Sequence, residues 1–218
     1  MLSLIQAAGW PVWFLIATSI VAVALMIERG LSLRQDRAIP PRLLEDVISL
    51  HRNRQIAPDT LQKLESNSPL GRILAAGLRQ EAAPRNVIKE AMEEAGRAVA
   101  HDLEKHLSAL GTIASIAPLM GLFGTVIGMI EIFGAQAPAG ANPLQLAHGI
   151  SVALYNTALG LAIAIPAMIA YRLYRARADA LLVEMEQQSL RLVDTLRLGT
   201  IRPGNVPGAR NADAGARA

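Results

Sequence analysis

Apolar residues in this chain gather into three long runs, at residues 10–27, 107–130 and 150–171. Each is close to the ~20 residues with which an α-helix crosses a bilayer. Outside the runs, apolar positions recur at helical spacing. Val87, Met92, Ala95, Val99, Leu103, Leu107 and Leu110 lead into the second run, and Ala178, Leu182, Met185, Ser189, Leu192 and Leu196 follow the third. A stripe of that period belongs to a helix that buries one face. The spacing predicts an unbroken helix over the 49 residues 85–133, about 74 Å long at the α-helical rise.

Proline punctuates the rest. Pro40-Pro41 ends the extension of the first run, and Pro58, Pro69 and Pro84 each stand where a helix would start. Residues 41–81 therefore read as short amphipathic helices. No segment alternates as a strand does. The predicted fold class is all-α: a polytopic membrane protein with three transmembrane helices, two of them extended into a cytoplasmic helical bundle.

Charge orients the spans. Thirteen of the 21 Lys and Arg lie between Arg29 and Lys105 and the other eight between Arg172 and Arg217, with none in residues 1–28 or 134–149. Basic residues mark the cytoplasmic side. The division is then an outer N-terminus with the first span (1–27), a cytoplasmic helical region (28–106), the second span (107–133), a periplasmic loop (134–149), the third span (150–171) and a cytoplasmic helix (172–198). A tail rich in Gly, Pro, Ala, Asn and Arg (199–218) is expected to be disordered. The first run is expected to be a retained span rather than a signal peptide, because the nine residues before Trp10 carry no charged side chain.

Other classes lose ground on the same residues. The chain has no cysteine, hence no disulfide framework or thiolate metal site. His51, His101, His106 and His148 have no ligand spacing and read as surface histidines. Nothing resembles a nucleophile elbow, a phosphate loop or a paired-carboxylate site. The expectation is no enzyme, no catalytic residue, no metal and no cofactor. Topology accounts for the arginines, so no nucleic-acid partner is expected.

The second and third runs carry residues that lipid does not reward. Pro118, Gly121, Thr125 and Gly128 share one helix face, as do Ala153, Thr157, Gly160 and Ala164. Gly124 and Gly128 form a GxxxG motif of the kind that lets helices approach closely. Pro118 and Pro166 free the carbonyls of Ala114 and Ala162. Two readings of the threonines stand side by side: hydroxyls bonded to their own helix inside a tight bundle, or the polar lining of an ion pathway. Residues 107–130 and 150–171 contain no Asp, Glu, Lys or Arg, so a conducting chain needs a partner to supply the buried titrating group.

Residues 117–126, APLMGLFGTV, and 150–161, ISVALYNTALGL, followed by Ala164-Ile165-Pro166-Ala167, resemble the second- and third-span motifs of the MotA/TolQ/ExbB proton-channel family. The resemblance is close over about residues 100–180. It implies a bacterial inner-membrane subunit, N-terminus periplasmic and C-terminus cytoplasmic, that forms a homo-oligomeric ring, typically a pentamer, in contact with membrane lipid. The ring's pore holds ExbD- or TolR-like single-span helices bearing a proton-carrying aspartate, and proton flow energises outer-membrane transport through a TonB-like protein. It also implies that Thr125 and Thr157 line the pore, with Asn156 able to hydrate it, and that Pro118, Gly121, Gly124, Gly128, Gly160 and Pro166 serve packing and kinking. Many members carry a glutamate where this chain has Val152. Ala117-Pro118 is nearer the ExbB pattern than the TolQ one, and three spans separate the chain from four-span stator subunits. A TolQ-like subunit serving outer-membrane integrity and a non-conducting membrane scaffold are the alternatives.

Overall fold

The computed structural model describes residues 10–53, 56–136 and 143–200. The expected outer segment before Trp10, the middle of the expected loop at 137–142 and the tail from 201 onward lie outside the described residues. The described residues form α-helices: α1 (Pro11–Ser32), α2 (Gln35–Ala38), α3 (Leu43–Arg52), α4 (Pro58–Asn67), α5 (Pro69–Arg79), α6 (Arg85–Glu104), α7 (Leu107–Gln136) and α8 (Pro143–Thr200). Pro58 and Pro69 open their helices, as their missing N–H groups allow. Three helical stretches are long and apolar enough to cross a membrane. The chain is an all-α polytopic membrane protein.

Two compact units make up the fold. Among the described residues, the first runs up to Ala38 and takes in Ala100–Leu181. In it α1 packs against α7, and α8 completes the core. Leu15 and Ala22 of α1, Ala117 of α7, and Ile163 and Ala164 of α8 form one buried cluster, flanked by Met26, Ile113, Met120 and Leu159. Leu110, Ala114 and Ala167 form a second, with Leu25, Tyr171 and Tyr174 against it. Alanines recur at these contacts, with Ala22, Ala114, Ala117, Ala164 and Ala167 set among larger side chains. Other large apolar side chains point the other way: Leu119, Leu122, Phe123, Val126, Ile130, Leu154, Ile165 and Ile169 are all exposed. A surface of that kind suits lipid or neighbouring helices rather than water.

The predicted helix over 85–133 is divided in the structure, by a turn at Lys105–His106. The apolar rhythm runs straight through this point, with Val99, Leu103, Leu107 and Leu110 all buried, so period alone could not reveal it. What holds the turn comes from far away in sequence. Arg29, 5% exposed, donates from Nη1 to the carbonyl of Leu103 at 3.3 Å, one of the terminal carbonyls a helix leaves without an internal partner. Its Nη2 lies 2.9 Å from His106 Nδ1, and its Nε donates to Glu28 Oε2 at 2.7 Å. His106 Nδ1 is also 3.2 Å from the same carboxylate oxygen. His106, its side chain 43% exposed, is a surface histidine that also belongs to this cluster. Arg29→Ala should lower stability by about 2–3 kcal/mol, through lost hydrogen bonds to a charged donor. Arg29→Lys should recover little of it, because an ammonium lacks the guanidinium fork. Thermal unfolding of the two variants in detergent measures this. A midpoint unchanged in Arg29→Ala would refute the role.

Among the described residues, the second unit takes in Ile39–Val99 and α8 from Leu182 onward. Its interior is built from Leu70, Ile73, Leu74 and Leu78 of α5, Ile88, Met92 and Val99 of α6, and Met185, Leu192, Val193 and Leu196 of α8. Ser68 caps α5, its Oγ accepting from the Gly71 N–H at 3.0 Å. Gly77 lets α5 approach α6: a methyl there would lie 2.6 Å from Met92 Sδ. Arg85 and Asp194 pair at 2.7 Å across α6 and α8, an exposed bridge of small energetic weight.

Candidate functional site

The small residues of α7 and α8 meet each other within the chain. A methyl added to Gly121 would lie 2.7 Å from the Asn156 carbonyl oxygen and 3.0 Å from the Thr157 Cα. One added to Gly124 would lie 2.9 Å from the Asn156 side chain, and one on Gly128 3.2 Å from the Ala153 Cβ. Gly160 returns the contact, its hypothetical methyl 2.6 Å from the Ala117 carbonyl oxygen. Residue numbers fall along one helix as they rise along the other, so the seam is antiparallel. Its register runs from Ile132 beside Gly149 to Gly111 beside Tyr171. Backbone against backbone leaves no volume for even one methyl group at Gly121 or Gly160.

This seam fixes where each candidate lies. Asn156 is 1% exposed, seated against Gly124 inside the chain. Thr157 is half-buried, at the level of Gly121. Thr125 is also half-buried, one turn along α7 from Gly121. Its Oγ1 donates to the Leu122 carbonyl of its own helix at 2.7 Å. The hydroxyl oxygen can still accept, but donating to an ion or carboxylate requires a rotamer change. Pro118 and Pro166 both lie within continuous helices. Pro118 is half-buried beside the fully buried Ala117. Pro166 lies away from the seam, on an apolar groove of about 430 Å³ shared with Ala162, Ile163 and, from α1, Ile20, Val23 and Met26.

A second cavity, of about 160 Å³, opens at the end of the seam that lies beyond Gly128. Glu131 and Ile132 of α7, His148, Gly149, Val152, Ala153 and Asn156 of α8, and Pro11 of α1 line it. In sequence Glu131 lies just past the apolar run 107–130 and His148 reads as a surface histidine, so neither stands out locally. They are 17 positions apart, and only the antiparallel register brings them to one level. Arg29 reads from the sequence as a topology signal. Its burial had no sign in the sequence beyond its place at the end of an apolar run.

The comparisons with known proteins fit this architecture. Residues 65–187 match the MotA/TolQ/ExbB proton channel family. Biopolymer transport protein ExbB-like 3 of Synechocystis sp. is 32% identical over 182 residues, covering 80% of this chain and 86% of that protein. The Tol-Pal system protein TolQ of Haemophilus influenzae is 34% identical over 179 residues, 77% of this chain and 78% of its own length. The biopolymer transport protein exbB1 of Vibrio cholerae is 43% identical over a shorter stretch of 88 residues, 39% of each chain. The matched residues take in all of α7, with its Gly121–Gly124–Gly128 face, and its partner face on α8. With its three membrane-spanning helices and the glycine seam, this chain belongs to the MotA/TolQ/ExbB proton channel family.

Proposed function

We propose that the chain is the ring-forming subunit of an ExbB-like, proton-driven motor in a bacterial inner membrane. The ring would be a homo-oligomer, with five copies as the expected number. Its pore would hold ExbD- or TolR-like single-span helices whose intramembrane aspartate takes and releases protons, and a TonB-like protein would carry the work to the outer membrane. The observation that carries this reading is the combination of a seam and a blank: small residues and two threonines at the packed α7–α8 pair, with no Asp, Glu, Lys or Arg between Leu107 and Ile130 or between Ile150 and Tyr171. Such a wall can offer hydroxyls to a moving carboxylate without trapping a charge of its own. In this account Thr125 and Thr157 line the pore and hydrate the partner's aspartate, and Asn156 stiffens the wall behind them. The glycines hold α7 and α8 together as one unit of the ring, and the exposed apolar faces meet lipid or the neighbouring copy.

A TolQ-like role in outer-membrane integrity is the second reading. It is favoured by the TolQ relative, which matches over a length similar to that of the ExbB-like one. Deletion of the gene separates the two: loss of TonB-dependent uptake supports the first, detergent sensitivity with intact uptake the second.

Assembly and orientation test the common core. The tagged chain, purified in mild detergent and weighed by native mass spectrometry, should appear as several copies together with a single-span subunit carrying an intramembrane acid. A monomer in several mild detergents would contradict the ring. Cysteines at Gly134 and Lys63 should differ in reactivity toward an impermeant reagent on spheroplasts, position 134 labelling and position 63 protected. The reverse pattern would overturn the orientation.

A further inference from the structure

We propose that Glu131 and His148 form a proton-loading vestibule at the outer mouth of the α7–α8 seam, passing protons down a short wet cavity to the level of Asn156 and Thr157. The proposal rests on the motor reading above and names the part of this chain that collects its protons.

The distribution of ionisable groups is the first observation. Tyrosine aside, α7 carries one, Glu131, and α8 before Arg172 carries one, His148. Before Glu28, α1 has none. The only two such side chains in the apolar part of the first unit therefore line the same cavity. Register is the second. Ile132 sits beside Gly149 and Gly128 beside Ala153, which places Glu131 and His148 at one level on facing helices. The third is what the cavity reaches. Its lining runs from these exposed residues to Asn156, which is 1% exposed. Eight residues of helix separate His148 from Asn156, about 12 Å at the α-helical rise. That takes a proton well into a hydrocarbon layer ~30 Å thick. A volume of about 160 Å³ holds several waters, given ~30 Å³ for each in the liquid.

The chemistry selects protons over a metal cation. Imidazole changes charge between pH 5 and 8 and relays protons to a carboxylate. A hard cation asks for about six oxygen ligands, and this cavity's side chains offer those of one carboxylate and one carboxamide. Val152, on the same lining one turn above Asn156, cannot titrate. The Glu131 carboxylate and the His148 imidazole at the mouth are the acid–base side chains of this lining.

The test uses the intact complex with its single-span subunit, reconstituted in liposomes and oriented by the impermeant label. Proton flux under an imposed potential is followed with an internal pH dye. Glu131→Gln/His148→Gln should reduce flux by about a hundredfold, the lower end of what a positioned proton-transfer group contributes, and flatten its dependence on outer pH. Zn²⁺ is the second probe, since imidazole and carboxylate are both good zinc ligands. Added on the side of residue 134, it should block the parent complex and not the double variant. Unchanged flux or unchanged zinc sensitivity in an assembled double variant overturns the vestibule. So does a parent complex that conducts but ignores zinc on that side, a result that does not depend on the variants folding. A parent complex that conducts nothing overturns the motor reading itself, and the vestibule with it.

Discussion

Thr157→Val should cut energy-dependent function steeply while leaving the assembled complex intact. Valine has nearly the shape of threonine, and position 157 is only half-buried against the Gly121 backbone, so the swap disturbs packing little. What it removes is the hydroxyl that, in the proposed motor, faces the partner's carboxylate. A hydrogen bond to a charge contributes about 1.5–3 kcal/mol, and each 1.36 kcal/mol is tenfold in rate, so the turnover loss is roughly ten- to hundredfold. The energy supply leaves little slack: one charge moved through 100 mV gains about 2.3 kcal/mol, comparable with the ~2.5–3.5 kcal/mol cost of a charged side chain at mid-membrane on insertion scales. Thr157→Ser should retain much of the activity. Thr125→Val should act in the same direction but less strongly, because that hydroxyl already donates to Leu122. The check is growth or uptake that depends on the complex, alongside co-purification of the single-span subunit. Full activity in both valine variants would leave the hydroxyls a packing role only.

Gly121→Leu and Gly160→Leu should be the most damaging single substitutions in the membrane part of the chain. Even a single methyl at these sites would meet backbone oxygen at 2.7 and 2.6 Å, and backbone cannot swing aside as a side-chain tip can. An overpacked core residue typically costs about 1–3 kcal/mol, and leucine at a backbone–backbone contact should reach the top of that range or pass it. Gly128→Ala should be mild, since the neighbour it meets is the Ala153 methyl at 3.2 Å. Gly96→Ala, with nothing within 4 Å, should be neutral or slightly stabilising. Because the seam lies inside the chain, the first loss should be the chain's own fold, with loss of the ring following from it. Unfolding midpoints for the four variants give the ranking, and equal midpoints for Gly121→Leu and Gly96→Ala would contradict it.

The spans, the helix starts at Pro58 and Pro69 and the buried stripe through Met185, Leu192 and Leu196 were legible because each is a local property: length, a missing N–H, a period. The small faces were legible too, but not their partner. GxxxG fits a contact within a chain as well as one between chains, and only the antiparallel register of α7 on α8 shows that Gly124 meets Asn156. The turn at Lys105–His106 was hidden because the apolar rhythm continues across it, while the group that braces it, Arg29, is more than seventy residues away. Glu131 and His148 were hidden for a related reason: neither carries a local signature, and their meeting depends on how two helices register.

Proton flux through the purified complex in sealed liposomes, driven by a potassium diffusion potential, tests the central claim most directly. The account predicts potential-driven acidification of the vesicle interior that requires the single-span partner. It should vanish when the partner's intramembrane aspartate is changed to asparagine, and fall to near background in Thr157→Val. A fully assembled complex that passes no more protons than protein-free liposomes, at any imposed potential, would contradict it.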